Sequence, residues 1–159
     1  MIELAKFNEL ELIAKLAKIT RENMLKEGLN QWTGDYPNLD TFINDYHNKS
    51  LYVYKENNII IASITILEEH EEGYKEIKWF KEHSMVIHRI IVDPLIQKKG
   101  LGTKLFQFAI NLSKINNYDS LKVDTHRDNH KMQGLIKKMN FEYIGYLKGI
   151  DRLAYELVL

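Results

Sequence analysis

The chain has 159 residues and a mass of 18.8 kDa, a size at which one domain buries its own core without covalent staples. It contains no cysteine, which excludes disulfide frameworks, thiolate nucleophiles and cysteine-ligated zinc or iron–sulfur centres. Its 22 Lys and Arg balance its 22 Asp and Glu, so the overall field attracts neither nucleic acid nor an anionic membrane, and neither is expected as a partner.

Met1–Lys6 lacks the apolar stretch of a signal peptide, and the apolar run around Ile59–Ala62 is far shorter than a membrane span; a cytoplasmic protein is the expectation. A short strand is expected at residues 2–6. Asn8 can cap a helix in which Leu10, Ile13, Ala17, Thr20 and Met24 recur at helical spacing, and Gly28 stops it. Residues 29–39 read as a loop, followed by a second short helix near 40–48. The β-rich runs Leu51–Tyr54 and Ile59–Leu67 flank Lys55-Glu56-Asn57-Asn58 and predict a hairpin. Residues 68–83 are highly charged and read as a long, mostly solvated connection. Ser84–Val92 is a strong strand, stopped by Asp93-Pro94. After Gly102, Leu105, Phe108, Ala109, Leu112 and Ile115 mark one face of a helix. A strand at Leu121–Thr125 follows. Asp128 or Asn129 then caps a helix with Met132, Leu135, Ile136 and Met139 on its apolar face, and two strands, Tyr143–Leu147 and Arg152–Val158, close the chain. The order β-α-α-β-β-β-α-β-α-β-β predicts an α/β fold, a mixed sheet with helices on both faces.

Chemistry concentrates in 87–103. A buried strand runs into a loop with two glycines and then into an amphipathic helix. Glycines at such a junction let main-chain N–H groups turn toward an anion, and the first helical turn adds unpaired N–H groups and the positive end of the dipole. A phosphate or pyrophosphate fits this arrangement, with Lys98 and Lys99 adding charge at its rim. The P-loop pattern fails, because Gly102 is followed by Thr103-Lys104 in the wrong order. The dinucleotide fingerprint fails as well, because it needs a third glycine where Leu105 stands. Gln-x-x-Gly-x-Gly is matched in full by Gln97-Lys98-Lys99-Gly100-Leu101-Gly102.

On these residues the chain resembles the GCN5-related N-acetyltransferase (GNAT) family. Arg89–Pro94 followed by Gln97–Gly102 is similar to that family's acetyl-CoA-binding strand, loop and helix; Leu121–Thr125, Asn129 and Leu135–Phe141 are similar to its second conserved block. The resemblance implies a single N-acetyltransferase domain, residues 1–159, with the GNAT-type acyl-CoA N-acyltransferase fold and a splayed mixed sheet. It implies acetyl-CoA as co-substrate, its pantetheine arm lying between strands near 84–92 and 121–125 and bonded to main-chain groups of Ile90, Ile91 and Val92. The pyrophosphate would rest on the amides of Gln97, Lys98, Lys99, Gly100, Leu101, Gly102 and Thr103, with Asn129 a further cofactor contact. The implied reaction moves an acetyl group to a primary amine, on a small molecule or a protein, by direct attack. Main-chain N–H groups near Ile90 polarise the carbonyl, and neither a metal nor a covalent enzyme intermediate takes part. A homodimer is implied by analogy alone.

The chain departs from the family at the position of the tyrosine that commonly protonates the departing thiolate, which here is Ile136. Some members place a basic glutamate on the central strand, and here that position is Val86. These departures leave open a non-catalytic acyl-CoA-binding or sensing module as the alternative.

A base is needed to remove a proton from an alkyl ammonium, and His88 is the candidate, two residues before Ile90 and on its strand face unless a bulge intervenes. A hydrogen-bonded core histidine is the alternative. Asp124 and His126, ending the neighbouring strand, are acceptor-site candidates or polar caps. Trp32, Asp35 and Tyr36 in the early loop either line an amine pocket, through charge and cation–π contact, or pack the loop. His126 and His130 straddle a loop–helix junction with no third ligand in the sequence pattern, so no metal is expected.

Overall fold

The computed structural model describes residues 1–96 and 100–159; Gln97, Lys98 and Lys99 lie outside the described residues. Among the described residues the elements are β1 (Ile2–Leu4), α1 (Leu10–Lys26), α2 (Leu39–His47), β2 (Leu51–Glu56), β3 (Ile59–Glu68), β4 (Ser84–Val92), α3 (Leu101–Ile115), β5 (Ser120–Thr125), α4 (His130–Lys138), β6 (Glu142–Leu147) and β7 (Arg152–Val158). Short 3-10 turns lie at Phe7–Glu9 and Glu72–Glu76. The strands are ordered β1-β2-β3-β4-β5-β7-β6 in an open mixed sheet, the class expected from the order of elements. β4 and β5 pair in parallel, which requires the long return that α3 provides; β1–β2, β2–β3, β5–β7 and β6–β7 are antiparallel. Among the described residues no helix is long and apolar enough to cross a membrane.

The chain divides into two compact units, Met1–Ile66 with His88–Leu101, and Leu67–Ile87 with Gly102–Leu159. In the first, Leu10, Ile13, Leu16 and Ala17 of α1 pack with Phe42 of α2, Leu51 and Val53 of β2, Ile60 and Ile91. Asn8 does not cap α1 as expected. The chain enters through the Phe7–Glu9 turn, where the Glu9 carboxylate accepts the Lys6 N–H at 2.8 Å. Gly28 does close the helix, at φ +80: its N–H reaches the Leu25 carbonyl and the Leu29 N–H reaches that of Met24. The hairpin loop is shorter than its sequence reading. Lys55 and Glu56 continue β2 past a bulge, and Asn57 and Asn58, at φ 51 and 63, form a two-residue turn.

In the second unit β5 is central, paired with the first half of β4 from Ser84↔Ser120 to Ile87↔Val123 and with β7 along its other edge. The segment after β3 is mostly exposed, as its charge suggested, but it is anchored at one fully buried residue. Tyr74 is 2% exposed and packs with Val86, Leu147 and Ala154, while Trp79 donates to the Tyr74 carbonyl at 2.7 Å. Two aromatic anchors outweigh the surrounding charges, which stay in water at Glu72 and Lys75. The segment is also tied by Glu156, 1% exposed, whose carboxylate accepts the N–H groups of Phe80 and Lys81 and the Ser120 hydroxyl. Asn129 caps α4, accepting from the Met132 N–H at 3.1 Å; of that helix's expected apolar positions only Ile136 is fully buried.

Candidate active site

The central strand carries a local distortion. Among the described residues the β4–β5 ladder ends at Ile87↔Val123, although β4 runs on to Val92 and β5 to Thr125. Two residues past the ladder Arg89 adopts φ +48. A bulky side chain in the left-handed region costs about 1–2 kcal/mol, and such a residue persists only where its surroundings over-determine it. Here they do. The Arg89 guanidinium grips Asp45 of α2 with two hydrogen bonds, Nε to Oδ2 at 2.8 Å and Nη2 to Oδ1 at 2.6 Å. Asp45 is 2% exposed and also accepts the Thr65 hydroxyl of β3 at 2.9 Å. Burial opposes the Arg89 charge, but Asp45 outweighs it and raises the pKa. A fork-to-fork pair of this kind is the strongest form of hydrogen-bonded ion pair.

Arg89 also reaches the early loop, its Nη1 donating to the Tyr36 hydroxyl at 3.0 Å. Among the described residues Tyr36 is thus the early-loop candidate whose hydroxyl meets the central strand. Trp32, 8% exposed, belongs to the apolar cluster around α1 and α2; Asp35 is exposed and accepts from Asn38. His88 is half-buried on β4. The left-handed Arg89 between His88 and Ile90 is the bulge that interrupts their strand alternation, which requires extended backbone on both sides.

After Val92 the chain turns on Asp93, whose N–H meets the Ile61 carbonyl and whose side chain accepts the Leu95 N–H, both at 2.9 Å. Gly100 follows at φ +82, with nothing among the described residues within 4 Å of the position a Cβ would take. Leu101 then opens α3, whose first-turn N–H groups have no intrahelical partner. The second motif glycine has a different role from the first. A Cβ at Gly102 would stand 2.7 Å from Leu135 Cδ2, so this glycine admits α4 against α3. Thr103 receives a hydrogen bond from Lys138 at 3.4 Å. The expected pyrophosphate contacts at Gln97, Lys98 and Lys99 lie outside the described residues.

At the end of β5, Asp124 accepts the Tyr74 hydroxyl, and Arg152 Nε stands 3.8 Å from its other oxygen. Burial, and then Asp124, pushes the Tyr74 pKa well above its usual value, so the tyrosine stays a donor. His126 Nδ1 accepts the Asp128 N–H at 3.1 Å, which leaves a neutral ring's proton on Nε2, 3.8 Å from Asp151. Among the described residues no cluster of three His, Asp or Glu is placed to hold a metal ion.

The family model for the GNAT acetyltransferases matches residues 13–141. The chain belongs to the GNAT acetyltransferase family. Among curated proteins it is similar to the uncharacterized N-acetyltransferase YesJ of Bacillus subtilis strain 168, 24% identical over 149 residues, covering 89% of this chain and 81% of the relative. Among solved structures it is similar to a GNAT-family acetyltransferase of Streptococcus agalactiae, with 28% identity, a TM-score of 0.89, and 100% and 95% of the two chains covered. It also shares the fold of yncA from Salmonella typhimurium, solved with its cofactor acetyl-CoA, at 15% identity, a TM-score of 0.73, and coverage of 100% and 93%.

In this GNAT chain Ile136 is fully buried on α4 and Val86 is buried on β4, so neither position offers a titratable group. Two groups escape a reading of the sequence, Asp45 and Tyr74. Asp45 left a trace: it follows Phe42 by one helical turn, and a carboxylate on the buried face of a short helix implies a buried cationic partner. Tyr74 left none, because its flanks are charged.

Proposed function

We propose that the chain is an acetyl-CoA-dependent N-acetyltransferase acting on a primary amine. The observation that supports this most is the course of the chain after Ile87 in a member of this family: a strand free of its parallel ladder, a left-handed residue, a tight Asp93 turn, a left-handed glycine, and a helix N-terminus. Such a run supplies main-chain donors to an extended, diphosphate-bearing ligand. Bound acetyl-CoA supplies an acyl carbon activated as a thioester. Main-chain groups of Ile90, Ile91 and Val92 hold the pantetheine arm; the amides of the Gln97–Thr103 segment hold the pyrophosphate, with Asn129 a further contact. His88 removes the proton that frees the amine lone pair. Asp35 and Tyr36 face the acceptor and Trp32 backs their loop; Asp124 and His126, at the end of β5, are further acceptor candidates. The nitrogen forms the new C–N bond as the C–S bond breaks, and the thiolate takes its proton from solvent, since Ile136 has none to give.

Calorimetry with coenzyme A, and thiol release from acetyl-CoA over a panel of polyamines, amino acids and peptide N-termini, test this. Binding is expected, with turnover on at least one amine that falls about 10²-fold or more in His88→Ala at unchanged coenzyme A affinity. Absence of any heat of association rejects the reading. Burial of an aliphatic Ile136 where the family commonly has a tyrosine favours one second reading, an acyl-CoA-binding or sensing module, for which tight binding without turnover across the panel is the signature.

A further inference from the structure

The Asp45–Arg89 pair joins three parts of the first unit at one guanidinium: the left-handed residue of β4, the buried face of α2 with the Thr65 hydroxyl of β3, and Tyr36 of the early loop. The loop is held from its far side as well, where Arg21 of α1 donates to the carbonyls of Tyr36 and Pro37 at 3.3 and 3.4 Å. A surface ion pair of ordinary strength needs neither a buried carboxylate nor a backbone outlier. Here the charged fork and the outlier are the same residue, so side-chain contacts and backbone conformation meet at one point.

We infer that Asp45 is a positioning residue for acyl transfer: through Arg89 it holds the left-handed turn of β4 that aims the Ile90 N–H, and through the same guanidinium it fixes Tyr36 on the acceptor side. The inference rests on the proposed reaction. An extended residue at 89 would send the next peptide plane along the strand, whereas a left-handed one turns it. A donor that polarises a carbonyl works only when it is held on target before the reaction, because a mobile amide must be reorganised during it. Asp45 carries out none of the chemistry. It lies in the last turn of α2, and its own chain is anchored by the Ser50 N–H and hydroxyl on its carbonyl, both at 3.0 Å, which fixes the base of the clamp. Tyr36, 42% exposed, ties amine placement to the same anchor.

Asp45→Asn, Arg89→Lys and Tyr36→Phe test this with three readouts: coenzyme A affinity by calorimetry, the carbonyl resonance of bound [1-13C]acetyl-CoA, and the Ile90 amide resonance of the ligand-free protein. Asparagine loses the charge, and lysine cannot span both carboxylate oxygens. Both variants are expected to keep binding coenzyme A, weakened no more than about tenfold, because the pyrophosphate segment is untouched and only the Ile90 contact to the pantetheine arm is altered. Both should move the Ile90 amide and shift the bound carbonyl toward its free position, with kcat reduced about tenfold or more on whichever amine turns over. Tyr36→Phe should leave the carbonyl resonance in place and raise KM for the amine several-fold. An unmoved carbonyl and Ile90 amide in folded Asp45→Asn or Arg89→Lys overturns the inference while the proposed function stands. Failure of the wild-type protein to bind acetyl-CoA overturns the proposed function, and the inference with it. If Asp45→Asn does not fold, Arg89→Lys decides.

Discussion

Gly100 and Gly102 look equivalent in the motif and are not. Gly100 needs its missing side chain for a φ of +82, while Gly102 needs it to admit Leu135 Cδ2 at 2.7 Å from where a Cβ would stand. Alanine at 100 therefore costs about 1 kcal/mol of backbone strain with no clash among the described residues, and by stiffening the anion loop it should weaken coenzyme A binding. Alanine at 102 sets two opposed effects against each other: helix propensity gains up to about 1 kcal/mol, and overpacking costs about 1–3 kcal/mol. The methyl of Leu135 can rotate away, so the net loss should be at the low end. The sign is the test. In a Leu135→Ala background Gly102→Ala should become stabilising, as read from urea midpoints. A loss of equal size in both backgrounds would show that something other than Leu135 meets the new methyl.

At the scale of elements, α1 to α4 end in one way on three residue types. α1 ends on Gly28 at φ +80, α2 on Lys49 at φ 53, α3 on Asn117 at φ 61 and α4 on Asn140 at φ 67. In each the N–H of the next residue reaches back to the last full turn: Leu29 to Met24, Ser50 to Asp45, Tyr118 to Ser113, Phe141 to Ile136. Glycine takes this conformation without strain and asparagine takes it readily, whereas lysine has no such preference. Lys49→Gly should raise stability by about 0.5–1 kcal/mol, a rise in Tm of roughly 2–4 °C per kcal/mol at this chain length, and Lys49→Ala should not. Equal melting temperatures for the two variants would place the strain elsewhere. The same cap seats the Asp45 carbonyl, so α2 termination and the Arg89 clamp share a base.

Across the whole molecule the titrating groups make stability one-sided at high pH. Burial raises the pKa of Tyr74, with Asp124 adding to it, and burial also raises those of Tyr52, Tyr118 and Tyr155 above the ordinary 10.0. A group whose folded pKa is raised contributes stability that is complete below its unfolded pKa and is lost as pH climbs toward the folded one. Lys122 runs the other way. Burial lowers its pKa, and its contribution improves toward 10.5, a partial offset. The urea midpoint should therefore hold through neutral pH and fall from about pH 10 upward, with a shallower fall in Tyr74→Phe. An unchanged alkaline slope in that variant would remove Tyr74 as the main contributor.

Local patterns of apolar, β-rich and turn residues located the strands and α-helices of the described chain, because such patterns are local properties that the sheet and helices then satisfy. A turn within Lys55–Asn58, a cap at Asp128 or Asn129 and the Gly28 stop are legible for the same reason: each is chemistry within a few residues. The Gln97–Gly102 motif points to an anion loop in the sequence, and Gln97, Lys98 and Lys99 lie outside the described residues. Where sequence reading fell short, the missing information was long-range. Asp45 meets Arg89 across a separation of 44 residues and Tyr74 meets Asp124 across 50, so neither pairing exists until the strands are in register. The 3-10 turn before α1, the burial of Tyr74 amid charges and the left-handed turn at Arg89 are likewise set by what packs around them, since only tertiary contact supplies the free energy that holds a backbone away from its local preference.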